Sequence, residues 1–176
     1  MKKLFAVLGA IILIGSFASA QLKQEAFGIQ AGVTGGSELY SNAFGISSGS
    51  TTLTGLYNVD QKTRIGIGIG FVSVSPSVGS STSDFQIAAL VDYYFSSSEN
   101  LSTIIGGRFG YLTFSPGSGT SITGVDVGAK VGTEYAFSSR FSIQAFIGLE
   151  YLNGGPSGKK TSQIGTISGT MLSFYF

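Results

Sequence analysis

The sequence predicts an all-β chain in which a cleaved signal peptide precedes an eight-stranded antiparallel up-and-down transmembrane β-barrel. Three observations lead there. Apolar residues alternate with glycine and polar residues through most of the chain, which is the period of a strand. Charged residues are only 11% of the 176, against 43% hydrophobic, and there are 27 glycines; ordinary soluble domains carry roughly 25% charge and about 7% glycine. The charges that fall near mid-strand lie on the glycine-rich face, not on the apolar one.

The amino terminus reads as an export signal. Met1-Lys2-Lys3 is cationic, Leu4 to Ile14 is apolar, and the small residues Ala18 and Ala20 close a cleavage site. The apolar run is too short for a spanning helix, which needs about 20 residues. The expected organisation is a signal peptide over 1–20 and one barrel domain over 21–176.

Each strand then follows from its alternation. Phe27, Ile29, Ala31 and Val33 oppose Gly28, Gln30, Gly32 and Thr34. Leu53, Tyr57 and Val59 form a weaker second set, and Ile65, Ile67, Ile69 and Phe71 oppose Arg64, Gly66, Gly68 and Gly70. The fourth runs from Phe85 to Phe95 with Asp92 on the other face, and the fifth from Ile105 to Tyr111 with Arg108. The sixth, Val125 to Tyr135, carries Asp126, Lys130 and Glu134 opposite its valines. The seventh, Phe141 to Tyr151, carries Glu150 and breaks its own rule at Phe146. The eighth ends in Leu172, Phe174 and Phe176. Connections alternate between tight turns, around Asp60 to Thr63, Ser96 to Leu101 and Ser138-Ser139, and longer stretches rich in glycine and serine. That asymmetry is expected of a barrel crossing an outer membrane. Asp92-Tyr93-Tyr94-Phe95-Ser96-Ser97 is echoed by Glu134-Tyr135-Ala136-Phe137-Ser138-Ser139, a weak sign of successive hairpins.

Alternation alone also fits a soluble, lipocalin-like barrel with its apolar set turned inward. An eight-stranded barrel has an interior only just wide enough for side chains. It accepts glycine and a few polar groups readily, but not every Phe, Ile and Tyr of the apolar set. A basic residue facing lipid costs about 2–4 kcal/mol at the midplane. The charges Asp92, Arg108, Asp126, Lys130, Glu134 and Glu150 are therefore expected inside, where burial demands that they pair. Aromatics bracket the apolar band: Tyr57, Phe95, Phe137, Phe141 and Phe176 beside the tight turns, and Phe71, Phe85, Tyr111 and Tyr151 toward the longer loops. Interfacial belts of this kind are favoured at membrane surfaces.

A signal peptide, eight amphipathic strands and the ending Met171-Leu172-Ser173-Phe174-Tyr175-Phe176 resemble the small bacterial outer-membrane barrels, the group of outer membrane proteins X and A and the opacity-type proteins. The resemblance spans the mature chain and is one of pattern. It implies a multi-pass outer-membrane location and contact with lipid and lipopolysaccharide. It also implies that Leu172, Phe174 and Phe176 form the signal read by the barrel-assembly machinery. The glycine of that family signal would fall at position 171, which is Met here.

Composition narrows function. With neither cysteine nor histidine, thiol chemistry, disulfides and a Ser-His-Asp triad are excluded. A net charge of +1 supplies no basic face for nucleic acid. Gly66-x-Gly68-x-Gly70 lies within a strand and lacks nucleotide-loop spacing, and the Asn153 to Thr161 stretch fails the P-loop pattern at both ends. The expectation is a monomeric, non-enzymatic barrel without cofactor, with a structural, adhesion or surface-contact role through short external loops. The alternative is a narrow channel or a passage for small hydrophobic compounds.

Overall fold

A computed structural model describes residues 26–35, 50–74, 82–98, 100–115, 119–156 and 160–176. The expected signal peptide, with Ala18 and Ala20, lies outside them, as does most of the first long connection. Among the described residues are eight strands: β1 (Phe27–Gly35), β2 (Ser50–Asn58), β3 (Thr63–Val74), β4 (Thr82–Ser98), β5 (Leu101–Ser115), β6 (Ile122–Ser138), β7 (Phe141–Gly155) and β8 (Thr161–Tyr175). Each pairs antiparallel with the next, and β8 returns to β1, so the sheet closes. Closure leaves no unpaired edge, which a lipid environment would penalise. Strands β4 to β8 run past the alternating segments that mark them in the sequence, and β1 and β2 are the shortest.

The two faces separate as the period requires. Phe27, Ile29, Ile67, Phe71, Phe109, Val127, Ile147 and Leu149 are all exposed on the outside. Gln30, Arg64, Asp92, Asp126, Glu134, Gln144 and Glu150 are buried inside. A water-soluble barrel would show the reverse distribution. Phe146 obeys the geometry rather than the composition: it points inward and packs with Ile167 and Met171. Toward the longer connections the lumen is filled by Leu112, Phe114 and Leu152, with Ile122 against them.

At the tight-turn end the repeated sequence echo acquires a structural meaning. Pairing slips between Tyr94 and Ser96 in β4, and again between Ala136 and Ser138 in β6. The bulged residues are therefore Phe95 and Phe137, the aromatics at matching places in the two echoes. A bulge adds one residue and re-aims the chain; here it brings each strand into its turn. The amide before each bulge donates to the preceding turn: Tyr94 N to Lys62 O and Ala136 N to Asn100 O, both 2.8 Å, with Tyr175 N to Arg140 O continuing the pattern. The turns themselves use short side chains as acceptors. Asp60 Oδ1 accepts from the amides of Lys62 (2.6 Å) and Thr63 (2.7 Å), and Ser138 Oγ accepts from Arg140 and Phe141. The Lys62 amide bond, the stronger of the two influences from the backbone, helps hold the exposed Asp60 carboxyl below the usual carboxylate range.

Aromatic contacts encircle this end. Tyr135 meets Phe137 edge-on, Phe137 stacks on Phe141, Phe174 meets Phe176 edge-on, and Phe27 lies 4.9 Å from Tyr57. Phe141 and Phe174 are register partners, so the belt continues across β7 and β8.

Inward glycines matter most where a charge lies over them. A Cβ at Gly106 would collide with the Asp92 carboxylate and the Lys130 side chain, and one at Gly110 with the Asp126 carboxylate. Gly106→Val is expected to destabilise the barrel by at least about 1–3 kcal/mol, the usual cost of overpacking. Urea unfolding in lipid vesicles measures this, with Gly107→Val as the control, since the nearest atoms to a Cβ there lie 3.8 Å away.

Candidate functional site

The polar interior of the barrel is the candidate site. All six ionisable residues singled out from the sequence take part in it, and a seventh, Arg64, organises it. Arg64 is the second residue of β3, directly above the Asp60 turn, and its register partner on β4 is Asp92. Its side chain is fully buried. Nη2 reaches Asp92 Oδ2 at 2.6 Å and Gln144 Oε1 at 3.1 Å. Nη1 reaches Glu134 Oε2 at 2.9 Å and donates to Tyr175 Oη at 2.6 Å. The guanidinium carbon lies 5.3 Å from the centre of the Tyr94 ring, a further attraction for a cation.

Glu134 is the complement of this arginine. An ionised carboxylate has about four acceptor sites, and four donors converge on this one. Arg64 and Tyr94 Oη (2.6 Å) address Oε2, while Ser142 Oγ (2.6 Å) and Tyr175 Oη (3.2 Å) address Oε1. These donors come from β3, β4, β7 and β8, with Glu134 itself on β6. Gln30 on β1 extends the network by donating to Gln144 Oε1 and Ser173 Oγ, both at 2.9 Å. Side chains from six strands thus meet within the lumen. Buried pairs of this sort hold only when hydrogen bonds satisfy their remaining lone pairs, and here they do for Glu134.

Lys130 adds a second cation to this cluster through Asp92. Its Nζ lies 2.9 Å from Asp92 Oδ1 and 5.0 Å from the centre of the Phe146 ring. Phe146 breaks the sequence alternation to supply an aromatic face for this cation. Farther along the lumen Arg108 Nε lies 2.9 Å from Asp126 Oδ1 and 3.6 Å from Glu150 Oε1, and Gln86 donates to Asp126 Oδ2 at 3.3 Å. The ion pairs join Arg64, Arg108 and Lys130 to Asp92, Asp126, Glu134 and Glu150. Sequence reasoning expected Arg108 and Lys130 to be compensated by acids of this set; Asp126 and Glu150 serve the former, Asp92 the latter.

Arg64 was legible as a member of the polar face but not as its centre. One residue into its strand and two from Lys62, it has the sequence address of a rim charge. Its register partner Asp92 and its other contacts on β6, β7 and β8 depend on how the sheet closes, which no local pattern in the sequence displays. The chemistry of the assembly is cohesive. Its groups pair mostly with one another, although Arg64 Nε and Gln144 Nε2 are buried without a hydrogen-bond partner among the described residues, and among those residues no group of three His, Cys, Asp or Glu side chains could hold a metal ion.

The same architecture is found in solved structures. Neisserial surface protein A aligns with a TM-score of 0.57 at 16% identity, over 86% of this chain and 96% of that one. The N-terminal β-barrel domain of Pseudomonas aeruginosa OprF aligns with a TM-score of 0.53 at 14% identity, over 87% of this chain and 98% of that one. The fold is that of the small eight-stranded outer-membrane β-barrels. No protein-family model and no curated protein sequence matches the chain. At these identities the likeness is one of fold, and roles rest on the residues of this lumen.

Arg64 and Arg108 therefore predict different costs. Arg64→Met leaves Glu134 without its one salt-bridge partner among the described residues and is expected to destabilise the barrel by about 3–5 kcal/mol. Arg108→Met should cost less, because the Arg108 side chain is 20% exposed against 0% for Arg64 and solvent screens its pairs. Adding Glu134→Gln to Arg64→Met should recover part of the loss, since the stranded charge is then gone. Urea unfolding of the three variants in vesicles checks the order; equal costs for the two arginines would contradict it.

Proposed function

We propose that this chain is an integral barrel of a bacterial outer membrane, exported by its amino-terminal signal, with a non-enzymatic structural or surface-contact role through its external loops. The observation that supports this reading is the closed polar network in the lumen. Arg64, Glu134, Tyr94, Gln144 and Tyr175 meet across the bore, and Leu112, Phe114 and Leu152 fill it toward the longer connections. Such an interior braces the walls and holds the loops apart on a rigid frame.

Planar-bilayer recording tests the role. Purified protein should insert without stable conductance steps, whereas reproducible open levels would favour the narrow channel. Carbonate extraction tests the location: the protein should stay in the membrane pellet, and its release would point to a soluble periplasmic binder. Lipid and lipopolysaccharide are the proposed surroundings of the apolar band.

Assembly gives a separate test. Leu172, Phe174 and Phe176 all face outward from the last strand, where the barrel-assembly machinery is proposed to read them. Deleting Phe176 should reduce the folded protein recovered in outer membranes far more than deleting Lys159 and Lys160 together. Equal recovery would remove this role from the terminal aromatic.

A further inference from the structure

One inward acid takes no part in the lumen network. Asp84 is the third residue of β4 and shares its inward face with Gln86, Ala88, Leu90 and Asp92. It stands half-buried at the end of the bore toward the longer connections. Its Oδ1 is buried and makes no hydrogen bond among the described residues. No described cation pairs with it either. Arg64 serves Asp92 and Glu134, Arg108 serves Asp126 and Glu150, and Lys130 serves Asp92. A carboxylate withdrawn from water without a partner carries a cost.

Two further observations indicate what would compensate it. The first is the surface beside it. Phe114 on β5 is its register partner and faces inward with it, and directly opposed residues on one sheet face lie within side-chain reach. Phe114 packs with Leu112 and Leu152, with Ile122 against them. The acid thus stands at the edge of an apolar floor with an aromatic ring opposite. Its row continues through Val72 on β3 and Ile122 on β6, and neither is charged. The second is the balance of charge. The described inward side chains include five acids, Asp84, Asp92, Asp126, Glu134 and Glu150, against three bases, Arg64, Arg108 and Lys130. The lumen therefore holds a surplus of negative charge, and low-dielectric walls focus such a field toward an opening.

We propose that this end of the bore binds a small organic cation, an ammonium group joined to an apolar body. Asp84 takes the ammonium, while Phe114 and Leu112 receive the apolar part, and an aromatic face adds its own attraction for a cation. Other ligand classes fit less well. Calcium takes six to eight oxygen ligands, and among the described residues no three acids converge to supply them. An anion meets the surplus negative charge. A neutral hydrocarbon leaves the carboxylate uncompensated. The wall limits size, because the bore of an eight-stranded barrel is only about wide enough for side chains or one small ligand. The site lies on the loop side of the lumen ion pairs and leaves them intact.

Phenethylammonium is the probe, titrated into the intact barrel in lipid nanodiscs while side-chain methyl signals are followed by NMR. The signals of Leu112, Ile122 and Leu152 should shift saturably, and those of outward Ile147 and Leu149 should not. Asp84→Asn should weaken binding about tenfold, as expected for the loss of one charge-assisted hydrogen bond, and Asp84→Glu should retain it. Both variants should keep the mobility difference between boiled and unboiled samples that marks a folded barrel. The unmodified protein provides a second reading that needs no variant: 3-phenylpropionate, of similar shape and opposite charge, should neither bind nor compete. Equal affinity of the parent and Asp84→Asn would overturn the proposal. Shifts confined to the outward methyl groups, which report partition into lipid, would do so too, as would equal binding of 3-phenylpropionate.

Discussion

The pairing of Arg64 with Glu134 across the bore is the interaction around which the interior is arranged. The two residues lie seventy positions apart in sequence and 2.9 Å apart in space. A cation in the lumen of so narrow a barrel has no bulk water to retreat to. It needs a carboxylate, and that carboxylate needs donors on its other lone pairs. Tyr94, Ser142 and Tyr175 are those donors, and each comes from a different strand. Asp92 takes the other side of the guanidinium and passes the compensation on to Lys130, which lies against Phe146. One buried arginine thus ties together polar side chains from five surrounding strands.

The outside of the barrel obeys the complementary constraint. Lipid cannot satisfy a charge, so acids and bases are absent from the apolar band among the described residues and are held at the turns or within the lumen. The turns at one end are built on Asp60 and Ser138, which accept backbone amides locally, while Phe95 and Phe137 bulge at the ends of β4 and β6. These small devices tie the hairpins together and set an aromatic belt at the membrane surface.

Two packing regimes share one bore. The tight-turn end is a dense hydrogen-bond and ion-pair network, and the end toward the longer connections is apolar, built from Leu112, Phe114 and Leu152. Glycines such as Gly106 and Gly110 make the transition possible, because a carboxylate lies over each backbone where a side chain would stand. The two ends of the bore are thus held in different ways, by polar pairing at one and by close apolar contact at the other.

Most of the fold was legible in the sequence because a strand has a period of two, and a face that meets lipid is predominantly apolar and free of charge. Ile65, Ile67, Ile69 and Phe71 announce β3, and Val125, Val127, Ala129 and Val131 announce β6, without reference to any neighbour. The inward direction of Asp92, Asp126, Lys130, Glu134 and Glu150 was legible for the same reason. Their partners were not. Contacts across a lumen depend on register and stagger around the closed sheet, and a shift of two residues preserves every face while changing every pair. That is why Arg64, beside a turn, read as one polar residue among several until the closed sheet placed it against Glu134, Asp92 and Tyr175. Phe146 looked like an error of pattern for the same reason: alternation specifies which side it faces, but only the tertiary structure supplies the Lys130 ammonium that gives an inward aromatic ring a partner.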